Sequence, residues 1–143
     1  MAETHPNFDI ALVTPEGPVF DGEAQMIVVP GVAGEIGVLA RHAPLVATLK
    51  AGSTRIHVSQ NEVVEFATGP GFFKVELDRA LALVDDAVNV QEIDDARARE
   101  QLETAKAELE KLEQGESTGD RWQLEQRIQH AENQLLVSGR TTG

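Results

Sequence analysis

The chain has 143 residues and a mass of 15.5 kDa, which fits one compact domain or a small domain with an appendage. It contains no cysteine, which excludes disulfides, thiolate metal sites and cysteine nucleophiles and suits a reducing compartment better than secretion. Twelve Lys and Arg against 24 Asp and Glu give a net charge of −12; the basic stripe that phosphate neutralisation needs is missing, so nucleic acid and bare anionic lipid are disfavoured as partners.

The first residues, Met1-Ala2-Glu3-Thr4-His5-Pro6, show no basic cluster followed by an apolar run, so neither a signal nor a transit peptide is expected. Short β-type runs follow at Phe8–Val13, Ala24–Val29, Leu45–Leu49, Thr54–Val58, Val63–Ala67, Phe72–Leu77 and Ala80–Val84. Turn signals separate most of them: Pro15-Glu16-Gly17-Pro18, Asp21-Gly22, Ala51-Gly52, Gln60-Asn61 and Gly69-Pro70-Gly71. Phe73, Val75 and Leu77 fall on one face and Lys74, Glu76 and Asp78 on the other, the alternation of a half-buried strand. Residues 1–88 therefore read as a β-sandwich or barrel. The longest uncharged run, Ala24–Gly34, is 11 residues and holds a proline and two glycines. A spanning helix needs about 20 apolar residues, so no membrane crossing is expected, and a membrane location would depend on another protein.

The texture changes near residue 90. No proline follows, and Ala98, Leu102, Ala105, Leu109 and Leu112 recur at helical spacing, as do Leu124, Ile128, Ala131 and Leu135. Residues 89–143 are predicted to form an antiparallel hairpin, with helices at about 93–113 and 120–137 and a flexible tail. Glu113–Asp120 reads as a polar, flexible loop, and Asn89 with Glu92 and Asp120 with Gln123 as capping pairs. The alanines of the first stripe allow a close approach of the second helix. The hairpin's charged outer surface suggests that it moves relative to the sandwich.

Chemistry-bearing motifs are scarce. His5, His42, His57 and His130 show no metal-binding spacing, and no cysteine stands beside them. The acid pairs Asp85-Asp86 and Asp94-Asp95 read as a solvated turn and a helix start rather than acid/base couples, because adjacent residues point to different sides. Gly31, Gly34 and Gly37 match neither dinucleotide nor phosphate-loop spacing and read as turn glycines. There is no nucleophile elbow, and the chain is not expected to be an enzyme. Ile93-Asp94-Asp95-Ala96-Arg97-Ala98 opens the first helix with an acid and an arginine three apart, which spacing alone explains as a cap and an ion pair more readily than as a phosphate site.

Taken in order, these segments resemble the epsilon subunit of bacterial F-type ATP synthases over nearly the whole chain. Phe8–Phe20 is similar to its opening strand and turn. Gly34-Glu35-Ile36-Gly37-Val38-Leu39 with His42-Ala43-Pro44-Leu45 is similar to its G-E-x-G-x-L…H-x-P-L segment. Ala51-Gly52 and Gly69-Pro70-Gly71-Phe72 fall at its turns, and Ile93-Asp94-x-x-Arg97-Ala98 at its I-D-x-x-R-A helix start. The resemblance implies a ten-stranded β-sandwich followed by two helices. It implies a non-catalytic rotor subunit of a proton-translocating synthase, whose sandwich binds the gamma subunit and the c ring. It also implies contact with the catalytic beta subunits if the hairpin extends, and a place on the cytoplasmic face of the bacterial membrane, held by the complex. Glu35 and His42 are implied as contacts to the ring or gamma, and Asp94 and Arg97 as the remnant of an ATP site.

The departures shape the expectations. Ala40-Arg41 stands where many members have Pro-Gly, and Pro70 replaces a turn glycine. Thr104, His130 and Gln134 stand where ATP-binding members carry further arginines, so ATP binding is expected to be weak or absent. Residues 120–137 hold Arg121 and Arg127 against Asp120, Glu125 and Glu132, a balance that argues against strong electrostatic engagement of an acidic partner; inhibition by the hairpin stays open. The rival reading is a free-standing adaptor whose hairpin binds an unrelated partner. An acid/base hydrolase would need a convergent carboxylate pocket that no spacing announces.

Overall fold

A computed structural model of the chain describes the backbone of residues 5–115 and 120–142, and side chains through residue 139. The expected N-terminal reading at residues 1–4 and the centre of the expected loop at 116–119 lie outside the described residues. The chain divides after Asn89 into two compact units.

The first unit is a ten-stranded sheet: β1 (Phe8–Thr14), β2 (Gly17–Ala24), β3 (Met26–Gly31), β4 (Gly34–Leu39), β5 (Leu45–Leu49), β6 (Gly52–Ser59), β7 (Glu62–Thr68), β8 (Gly71–Glu76), β9 (Arg79–Val84) and β10 (Ala87–Asn89). The order is β10-β7-β6-β3-β5-β8-β9-β1-β2, with β4 paired to β3; β1 and β9 run parallel and the other pairs antiparallel. β2, at one end of that order, comes back against β6, so the sheet folds over on itself as a sandwich around one core. Alternate residues supply that core: Phe8, Ile10 and Leu12 from β1, Ile27 and Val29 from β3, Phe73 and Val75 from β8, and Ala80, Ala82 and Val84 from β9. Burying each large side chain contributes roughly 1.5–3 kcal/mol before ordering costs. Thr54 and Thr68 enter the interior as a pair, their hydroxyls 2.9 Å apart, so neither is left unsatisfied.

Three strands lie where the local pattern announced none. β2 contains Asp21-Gly22, expected as a turn; Asp21 pairs with Ala11 and Gly22 with Ile10 in the β1–β2 ladder. Long-range pairing overrides the local turn preference there. β4 and β10 are the other two. Gly31 and Gly34 do bracket the β3–β4 turn, where Gly34 has a φ of 137° that disfavours side chains. Gly37 is not a turn residue: it sits inside β4 opposite Val28. Gly71 needs its missing side chain for another reason, since a Cβ would collide with the Leu83 carbonyl oxygen of the neighbouring strand.

The second unit opens with a 3-10 turn at Val90–Glu92 and continues as α1 (Asp95–Glu113) and α2 (Arg121–Thr142). α1 starts two residues later than the expected 93, because Asp94 is extended (φ −95°, ψ 104°) and its carboxylate accepts from the Arg97 N–H at 3.1 Å. Asn89 and Glu92 therefore do not cap it; Asn89 ends β10, paired with Phe66. Asp120 caps α2, accepting from the N–H groups of Trp122 (2.9 Å) and Gln123 (3.3 Å). α2 continues through the residues expected as a tail beyond 137. Val137 and Ser138 are buried, which holds those turns in helical form. The helices pack along the expected stripes: Ala98, Ala105, Leu124 and Ala131 are buried, and Leu102, Leu109, Ile128 and Leu135 are half-buried.

Candidate functional site

Glu35 lies at the start of β4, immediately after the glycine turn, and Arg55 lies on β6 beyond the intervening β3. The Arg55 guanidinium reaches Glu35 Oε2 at 3.2 Å and donates to Oε1 at 3.4 Å. The Glu35 side chain is 57% exposed, so the pair is a surface ion pair, worth about 0–1 kcal/mol. Its value is positional: the arginine holds a carboxylate beside an open recess floored by Val32, Ile36, Ala47 and Thr48.

His42 stands in the β4–β5 loop, half-buried, with Nδ1 2.6 Å from the Ala43 carbonyl oxygen. With the proton on Nδ1 the ring donates to that carbonyl, and Nε2 is then an acceptor. The preceding Arg41 has a φ of 63°, a left-handed conformation that costs a non-glycine residue about 1–3 kcal/mol, and its N–H donates to the Leu77 carbonyl at 3.1 Å. Glu35 and His42 sit at the two ends of β4's connection and share no hydrogen bond or ion pair among the described residues.

The feature that the motifs did not indicate is apolar. On the outer face of the sheet, Thr48 pairs with Phe72, Phe72 with Leu83, and Leu83 with Val13; the next row runs Val46, Lys74, Leu81, Ala11. Val46 is 73% exposed, Phe72 60% and Leu83 47%, beside a shallow groove that also takes in Val13, Pro15 and Pro70. The signal was present in the adjacent Phe72-Phe73, which gives β8 an aromatic on each face.

At the other candidate, Asp94 and Arg97 are joined through the helix cap. Asp94 uses its carboxylate on a backbone N–H, and the exposed Arg97 guanidinium has no partner among the described residues. Three cross-helix contacts fix the register of the hairpin: Asp95 with Ser138, Glu108 with Arg127 at 4.0 Å, and Glu113 with Arg121 at 3.0 Å. That register sets Thr104 opposite His130 and leaves Arg97 near the C-terminal end of α2. Arg121 and Arg127 are farther down the hairpin, each paired with a carboxylate of α1, and Arg121 also meets Glu125 at 3.0 Å. Among the described residues no group of three or more His, Cys, Asp and Glu converges as metal ligands.

Residues 7–90 match the family described as ATP synthase, Delta/Epsilon chain, beta-sandwich domain. The chain is 36% identical over 135 residues to the ATP synthase epsilon chain of Rubrobacter xylanophilus, covering 92% of each. It is 36% identical over 135 residues to that of Halalkalibacterium halodurans, covering 94% of this chain and 99% of the relative. Among solved structures it resembles a chain in the cryo-EM structure of the Euglena gracilis mitochondrial ATP synthase (OSCP/F1/c-ring), with a TM-score of 0.68. The identity there is 22%, over 93% of this chain and 82% of that one, a likeness of fold.

Proposed function

The chain belongs to the ATP synthase epsilon-chain family and is a non-catalytic central-stalk subunit of that enzyme; from that premise we propose that its sandwich docks on the gamma subunit and the c ring while its hairpin serves regulation. The observation that carries the docking is the outer face of β5, β8 and β9, where Val46, Phe72 and Leu83 are exposed together. Large apolar side chains grouped on one sheet face mark a protein contact. An interface that must transmit torque for many turnovers calls for an apolar centre, so this face is assigned to gamma.

The ring contact is assigned to the segment from Gly34 to Leu45, through its few polar residues. Glu35, steadied by Arg55, and His42, held through Nδ1 on the Ala43 carbonyl, offer directional groups rather than area. Both supply orientation at a contact that gamma helps to anchor. No described helix is long and apolar enough to cross a membrane, so the subunit's place at the cytoplasmic face of the membrane is proposed to come through the complex.

Contact of the hairpin with the catalytic beta subunits would require α2 to leave α1. In the paired state Arg121 and Arg127 both face α1 carboxylates, so the basic groups that would meet an acidic partner are engaged internally. ATP binding is proposed to be weak or absent. Recovery from membranes with and without gamma tests the docking: retention that survives removal of gamma would favour the free-standing adaptor. ATPase activity of the assembled head, with the full chain and with residues 92–143 removed, tests regulation. Activation on truncation supports it, and equal rates exclude it.

A further inference from the structure

The apolar seam of the hairpin ends on a polar layer. On α1 the spacing that runs Ala98, Leu102, Ala105, Leu109 extends backwards to Asp95; on α2 the spacing Leu124, Ile128, Ala131, Leu135 extends forwards to Ser138. The last layer therefore pairs a hydroxyl with a carboxylate at positions where both helices otherwise place apolar residues. Ser138 Oγ donates to Asp95 Oδ1 at 2.6 Å, lies 3.3 Å from the Leu135 carbonyl, and belongs to a residue only 4% exposed. The opposite end is held differently, by the exposed Arg121 between Glu113 and Glu125.

We infer that the Ser138–Asp95 hydrogen bond is the latch of the hairpin, fixing its register when closed and marking the end from which α2 opens. A single matched polar pair in an apolar seam rejects shifted pairings, because any slip leaves the hydroxyl and the carboxylate facing apolar partners. The same chemistry makes release reversible: once apart, both groups are fully satisfied by water, whereas the apolar layers below are not. Both closures are charge-assisted, but the Arg121 pairs are exposed and screened by salt whereas the Ser138 hydroxyl belongs to a buried residue. Its loss frees the turns around Val137 first. For its biological consequence the inference rests on the regulatory reading of the hairpin, but the latch itself is a property of the isolated chain.

Hydrogen exchange of the full-length protein, read peptide by peptide, tests it. Ser138→Ala keeps helix propensity and removes only the hydroxyl. It should speed exchange in the C-terminal turns of α2 about tenfold or more, with the sandwich peptides unchanged. Arg121→Ala should act on the first turn of α2 alone, and raised salt should mimic it. Asp95→Asn should give a smaller effect than Ser138→Ala, and combining the two should add little. Unchanged or slower exchange in Ser138→Ala, additive effects of the pair, or equal opening by Arg121→Ala would each overturn the latch. Because ATPase regulation is measured on the assembled head, failure of that reading is distinguishable from failure of the latch.

Discussion

Phe72 on β8 stands directly opposite Leu83 on β9, and both turn outward from the core that their chain neighbours Phe73 and Ala82 build. The two faces of β8 and β9 are thus set by one register: a slip of one residue would bury Phe72 and expel Phe73. Phe72→Glu places a charge at the centre of the proposed gamma contact without touching the core. Binding to gamma should weaken at least about 30-fold, on the scale of a hot-spot residue. The melting temperature should hold, since an exposed substitution ordinarily changes stability by about 0.5 kcal/mol or less. Calorimetric titration against gamma, beside a thermal melt, checks both; undiminished affinity would remove this face from the interface.

A chain lacking residues 92–143 should fold as a sandwich and retain gamma. The core residues from Phe8 to Val84 all belong to the first unit, and their pairing closes without the helices. Circular dichroism and a cooperative melt should show a folded β protein. An unfolded truncation would mean that the units are not independent in stability.

The fold was legible in the sequence to the extent that the pattern was local. Strict alternation marked β8, and helical spacing marked both stripes of the hairpin. β2 escaped because Asp21-Gly22 carries a turn's composition, and what makes it a strand is its pairing with β1, which no local window contains. The Asp94 cap was legible in the acid-and-arginine start of the helix, but the first helical residue was not, because it depends on the extended backbone of Asp94 rather than on residue type alone. The end of α2 was missed because burial of Val137 and Ser138 is a tertiary fact. Of the candidate site residues, Glu35 and His42 were proposed by resemblance alone, and Arg55 became relevant to Glu35 only once β3 had brought β4 and β6 to its two sides.

Arg55→Ala should leave stability nearly unchanged, by about 1 kcal/mol at most, because the pair with Glu35 is exposed. Its effect should appear in attachment to the ring, where a carboxylate released from its arginine samples many orientations. Glu35→Gln and Arg55→Ala should weaken retention on gamma-containing c rings to similar degrees, and the double variant should lose little more than either. Sedimentation of assembled rings measures this. Loss with Glu35→Gln and none with Arg55→Ala would show that the carboxylate acts without positioning.

ATP should bind the isolated chain no better than millimolar, near −4 kcal/mol. Asp94 and Arg97 are present, but the Asp94 carboxylate is spent on the Arg97 N–H as a helix cap, so one of the two polar groups already has a structural task. The exposed Arg97 guanidinium is free to meet a phosphate, and a charge-assisted hydrogen bond from it contributes about 1.5–3 kcal/mol. Among the described residues no second cationic side chain is paired with it. Thr104 carries no charge, Gln134 carries none, and Arg121 and Arg127 are held farther along the hairpin by Glu113 and Glu108. A polyanionic ligand also approaches a chain of net charge −12, a repulsion that salt screens beyond about 8 Å. Calorimetric or NMR titration of the full chain with ATP should therefore show no saturation in the micromolar range, and Arg97→Ala should change little. Micromolar, saturable binding that Arg97→Ala abolishes would mean that the hairpin assembles a phosphate site around this arginine from groups that its paired form keeps apart.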